Sequence, residues 1–149
     1  MKFMKPHIVL AVGLLLTLAI PASAFALTPA EVYRRTSDAV VLILASHERG
    51  GRSKGTGSVV APGRVLTNAH VVQDDAGNNS KRILVFLRED NRNDDSRRSY
   101  EKGRVARVLR SNPDLDLALL EVQGLPDLAP IPLGNSKQMQ IGDPVLAIG

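Results

Sequence analysis

Hydrophobic and polar positions along residues 27–149 fall into short blocks rather than long stripes. Val40–Ala45 (VVLILA) is a compact apolar run rich in β-branched residues, as a buried strand requires. Gly57–Ala61 and Arg64–Thr67 are short strand-like runs joined at Pro62-Gly63, a strong hairpin signal. Ile83–Leu87 (ILVFL) and Leu117–Val122 (LALLEV) repeat the buried pattern, and Gly103–Arg110 alternates loosely between charged and apolar residues, as a half-exposed strand does. Between these runs, Glu48–Lys54 reads as a turn and Arg88–Lys102 as a polar connection. Gly124–Pro132 carries three prolines and reads as an extended link before a further strand at Pro144–Ile148.

One segment breaks the β pattern. Leu27–Asp38 opens with Thr28 at the N-cap, Pro29 at the first helical position and Glu31 at the third, so it predicts a short helix. Closely spaced short strands separated by turn residues predict an all-β sandwich or barrel. The strand expected at Pro144–Ile148 has no following partner, so the fold is expected to need more chain.

The first 26 residues read differently. Lys2, Lys5 and His7 precede an apolar run, Ile8–Ile20, interrupted only by Gly13 and Thr17. Pro21 then leads into Ala22-Ser23-Ala24-Phe25-Ala26, with small-residue cleavage sites after Ala24 or Ala26. This is the layout of a secretory signal peptide. The run is shorter than the roughly 20 apolar residues of a membrane span, and the small-residue site opposes an uncleaved anchor. The expectation is an exported protein, periplasmic or secreted, without a stable membrane span once the signal is removed.

Composition narrows the chemistry. Cleavage after Ala26 leaves 17 of the 19 Lys and Arg residues against 15 acidic ones, so the mature surface is mixed in charge. There is no cysteine, which removes thiol catalysis, thiolate metal sites and disulfide bracing. Only Tyr33, Phe86 and Tyr100 remain as aromatics after the leader, too few for a base-stacking platform. Arg88, Arg92, Arg97 and Arg98 are interleaved with Glu89, Asp90, Asp94 and Asp95, which argues against nucleic-acid binding. Asp90–Glu101 ends on Glu at the twelfth place like a calcium loop, but Arg92 and Asp95 hold its third and sixth places, where a ligand and a glycine belong. Neither a metal nor an organic cofactor is expected.

Three histidines occur in the chain, and His70 has the most telling setting. It follows the strand Arg64–Thr67 and the polar residues Thr67-Asn68. Further along, Asp116 stands in SNPDLDLALLEV immediately before an apolar strand. Burying a carboxylate there is costly without a partner. A carboxylate that accepts the Nδ1–H of a histidine would fix its tautomer and stabilise its charged form. On spacing alone a second reading stands beside this one, in which Asp114 and Asp116 cap a turn after Pro113. His47, beside a turn, reads as an ordinary surface histidine.

The motifs GTGSVVAPGRVLTNAHVV, DLDLALLEV and IGDPVLAIG, in this order, resemble the N-terminal half of a trypsin-like serine protease. The likeness is strongest to the exported bacterial high-temperature-requirement A (HtrA/Deg-like) group. The resemblance implies that His70 is the general base and that Asp116, rather than Asp114, orients it. The L-G-x-S segment and the x-G-D-x-V-x-A-I-G segment of that family match Leu133–Ser136 and Ile141–Gly149. It further implies two six-stranded antiparallel β-barrels, of which residues 27–149 supply the first and the start of the second.

The same resemblance implies a serine endopeptidase acting on exported or misfolded polypeptides, with loops that in such proteins often carry oligomer contacts. The order His, Asp, Ser of chymotrypsin-like enzymes would put the nucleophile and oxyanion hole after Gly149. Gly134-Asn135-Ser136 copies part of a nucleophile turn, but Lys137 and Gln138 stand where its glycines belong. Without glycine's backbone freedom that turn cannot aim its N–H groups at an oxyanion. The chain alone is therefore expected to lack a nucleophile and to be inactive. The alternative is a non-catalytic exported barrel that binds a peptide or partner chain by strand addition.

Overall fold

The computed structural model describes residues 27–48, 50–88 and 102–149. The expected signal peptide and the polar stretch at 89–101, with all the residues weighed above for calcium and, apart from Arg88, for nucleic acid, lie outside the described residues.

Helix α1 (Pro29–Thr36) starts as its sequence predicts. Thr28 caps it, and the Glu31 carboxylate reaches back to the Thr28 backbone N–H at 2.8 Å, closing a capping box. A 3₁₀ turn, Ser37–Ala39, then delivers the chain into β1 (Val40–Ser46). Arg88 ties α1 to the sheet: its guanidinium lies 5.0 Å from the Tyr33 ring centroid and donates to Ser37 Oγ at 2.7 Å.

Five more strands follow: β2 (Arg52–Ala61), β3 (Arg64–Thr67), β4 (Arg82–Phe86), β5 (Arg104–Asn112) and β6 (Leu117–Val122). All pair antiparallel, in the order β1-β2-β3-β6-β5-β4, and β4 returns to β1 to close the barrel. The all-β, six-stranded barrel with one short N-terminal helix is thus the observed architecture. Alternation works as the sequence implies. Val41, Ile43 and Ala45 of β1 point inward, as do Val65 and Thr67 of β3 and Ala118, Leu120 and Val122 of β6. β-Branched and small side chains fill this narrow interior, and Leu125, Leu128 and Ile131 of the following segment pack against it.

Glycines at 55 and 57 have steric causes. A Cβ on Gly57 would sit 2.6 Å from Val65 Cγ1, 2.9 Å from Ile43 Cδ1 and 3.0 Å from the Leu66 carbonyl. One on Gly55 would sit 2.5 Å from Val71 Cγ2. The G-x-G pattern therefore lets β2 pass close to the segment that carries His70.

Three expectations need correction. The turn after β1 is tighter than Glu48–Lys54, because Arg52–Lys54 already pair with Leu44–Ser46 in the β1–β2 hairpin. A single helical turn, Ala69–Val72 (α2), follows β3 where no helix was expected. Pro144–Ile148 forms no strand. The barrel is closed, so every described strand already has two neighbours and no edge is free to pair with it.

Candidate active site

His70 and Asp116 are brought together by the β3–β6 pairing. Thr67 lies opposite Ala118, so the chain leaving β3 and the chain entering β6 meet at one end of the barrel. Buried Thr67 anchors this corner by donating its hydroxyl to the Thr56 carbonyl at 2.7 Å. α2 then carries His70 across the barrel end.

Asp116 arrives by a distinct backbone route. Asn112 Oδ1 accepts the Leu115 N–H and caps the 3₁₀ turn Pro113–Leu115. Asp116 ends that turn in the left-handed region, φ 49 and ψ 46, with its own N–H donated to Pro113. No other described non-glycine residue has positive φ. Asp tolerates this conformation better than most residues, yet it remains strained, and such strain concentrates at functional positions. Asp116 thus ends the turn through its backbone, while Asn112, not Asp114 or the Asp116 carboxylate, supplies the side-chain cap.

The carboxylate is held by three donor groups. Oδ1 accepts the His70 backbone N–H at 3.0 Å, and Oδ2 lies 2.8 Å from His70 Nδ1. Asn68 Nδ2 donates to Oδ2 and to the Asp116 carbonyl, each at 3.1 Å. The His70 backbone N–H, then its ring, hold the Asp116 carboxyl below the usual aspartate range, against a smaller opposing effect of partial desolvation. An ionised carboxylate only accepts hydrogen bonds, so His70 Nδ1 carries a proton, and in the neutral ring the lone pair is then on Nε2. The pair is open to solvent, with His70 71% and Asp116 44% exposed. A buried carboxylate was expected. Asp116 sits instead on the turn before β6, at the barrel's end rather than within its wall.

Among the described residues, Asp116 is the only hydrogen-bond partner of the His70 ring. Ser136 stands in an exposed 3₁₀ turn (Ser136–Gln138) capped by Asn135, without a hydrogen bond to His70. A polar cleft of about 530 Å³ opens beside His70, bounded by His47, Arg52, Ser53, Gln73 and Asp75. Sequence reading missed Asn68 as a third partner of the carboxylate. Its one signal was its place between a strand end and the histidine.

Residues 55–149 match the trypsin-like peptidase domain. The chain belongs to the trypsin-like peptidase family. It is 37% identical over 127 residues to the mitochondrial serine protease HTRA2 of Bos taurus, a match covering 80% of this chain and 24% of the relative. It is 35% identical over 103 residues to a probable periplasmic serine endoprotease, DegP-like, of Pseudomonas fulva, covering 68% of this chain and 18% of the relative. In the described fold it is similar to an HtrA-type protease, AlgW, solved with a tripeptide. The TM-score is 0.59 at 27% identity, over 78% of this chain and 33% of that one. The chain thus spans about a quarter or less of these two curated relatives.

Proposed function

We propose that residues 27–149 are the general-base barrel of an exported serine-type endopeptidase. His70 is the general base, Asp116 orients it, and the nucleophilic serine and oxyanion hole belong to a second barrel outside these 149 residues. The observation that carries this reading is the two-point grip of Asp116 on His70, through the ring Nδ1 at 2.8 Å and the backbone N–H at 3.0 Å, with no partner on Nε2 among the described residues.

The chemistry follows from that grip. As a serine oxygen attacks a peptide carbonyl, Nε2 takes the hydroxyl proton and the ring becomes an imidazolium. Asp116 stabilises this cation and keeps Nε2 aimed at the reacting atoms. The proton then passes to the leaving amine as the C–N bond breaks, and the ring is neutral again. Water repeats the sequence on the acyl-enzyme. In this sequence His70 moves the proton and Asp116 stabilises its charge, while the covalent bond to the substrate is made by the serine of the second barrel.

The high exposure of His70 supports a missing cover, since a working base of this kind sits in a cleft. Relatives named as serine proteases support the activity, and the tripeptide in one similar structure supports polypeptide substrates. The DegP-like periplasmic relative supports export, with residues 1–26 as the signal peptide.

The test compares two polypeptides. The reading frame continued past Gly149 is expected to encode a Gly-x-Ser-Gly-Gly-type turn within roughly 100 residues, the size of one further small domain. The extended polypeptide hydrolyses an unfolded protein and residues 27–149 alone do not. Turnover by residues 27–149 alone, or an extended polypeptide that only binds peptides, would overturn the reading.

A further inference from the structure

α2 is one helical turn, too short to hold itself together, and its terminal carbonyls have no partner within it. Two serines from elsewhere in the chain supply those partners. Ser53, on β2, donates its hydroxyl to the Val71 carbonyl at 2.6 Å. Ser80, just before β4, donates its hydroxyl and its backbone N–H to the Val72 carbonyl at 2.9 and 2.8 Å. These carbonyls belong to the two residues that follow His70.

His47 completes the arrangement. Its Nδ1 lies 3.0 Å from Ser80 Oγ. The single hydroxyl proton of Ser80 is committed to Val72, so His47 Nδ1 must be the donor to Ser80 Oγ. This fixes the tautomer of His47 and the rotamer of Ser80 together. His47 is itself held at the hairpin, its N–H donating to the Gly51 carbonyl at 3.2 Å. Gly55 lets β2 lie directly against Val71, which brings Ser53 within reach.

We infer that Ser53, Ser80 and His47 are positioning residues for His70. Asp116 holds the turn through the His70 N–H, and the two serine hydroxyls hold it from the side of its carbonyls. With either grip lost, the turn can roll about its axis and carry the imidazole away from Asp116 Oδ2. The inference rests on the proposed role of His70 for its catalytic meaning, but its structural content is read on the pair itself.

Imidazole ¹⁵N shifts of the 149-residue chain report the His70 tautomer, and amide hydrogen exchange at His70 reports the bond to Asp116 Oδ1. In the Ser53→Ala/Ser80→Ala double variant the ring moves from the Nδ1–H form towards Nε2–H. The His70 amide exchanges roughly fivefold faster for each hydroxyl removed, the fold-change of about one net hydrogen bond. Ser53→Thr/Ser80→Thr, which keeps both hydroxyls, restores both readings. His47→Phe, which leaves the Ser80 hydroxyl on Val72, moves both readings in the same direction but by less than loss of the Ser80 hydroxyl does.

A wild-type tautomer and exchange rate in the folded double-alanine variant would overturn the inference, as would threonine variants that fail to restore them. A normal His70–Asp116 pair in an extended polypeptide without peptidase activity would count instead against the catalytic reading.

Discussion

Asp116→Asn, made in a polypeptide that also carries the nucleophile, lowers kcat by about 10⁴-fold and leaves KM nearly unchanged. The cause is the tautomer rather than the lost charge alone. An asparagine keeps an oxygen to accept the His70 backbone N–H, so the turn stays in place. Its amide NH₂ then occupies the Oδ2 position, facing His70 Nδ1 and the Nδ2 of Asn68. Nδ1 is forced to accept, the ring proton moves to Nε2, and the lone pair that should take the serine proton is gone. Steady-state kinetics on a peptide substrate checks this. A loss below tenfold, or a loss entirely in KM, would show that Asp116 does not set the state of His70.

Leu120→Ala costs about 2–5 kcal/mol of folding stability, a large part of the 5–15 kcal/mol of an ordinary domain. Leu120 is completely buried in β6, opposite Val65 of β3 and Val108 of β5. Its removal leaves a cavity in a narrow interior whose neighbours are already in place and cannot collapse. Urea unfolding followed by circular dichroism reads the loss as a lower midpoint at unchanged slope. Asp116 stands immediately before β6, and β6 pairs with the strand leading to His70, so the imidazole–carboxylate pair is lost in the same transition. A change below about 1 kcal/mol would mean that the barrel interior is not the cooperative core described here.

The parts of this structure that were legible in the sequence are those set by short-range rules. VVLILA and LALLEV are strands because every second side chain must enter a barrel, and the Pro62-Gly63 hairpin and the Thr28 capping box are local chemistry. That His70 and Asp116 meet was legible through the resemblance of their motifs to a known family, since spacing alone left a turn cap as the second reading. What was hidden depends on contacts across the fold. The first residues of β2, Arg52–Lys54, are polar because they line the exposed end of a hairpin, so no hydrophobic alternation marks them. α2 is four residues long, below the reach of any helical periodicity. His47 read as a bland surface residue because its partner, Ser80, lies 33 positions away and meets it only when β1 and β4 close the barrel. Pro144–Ile148 has strand composition, but composition cannot supply a pairing edge.

Labelling by a serine-directed phosphonate tests most directly whether His70 and Asp116 are half of a peptidase site. The reagent reacts only with a serine activated by its base. The expected result is stoichiometric labelling of the extended polypeptide, none after His70→Ala, and none on the 149-residue chain by itself. Labelling of the 149-residue chain, or undiminished labelling of the His70→Ala polypeptide, would contradict the assignment of His70 as the base.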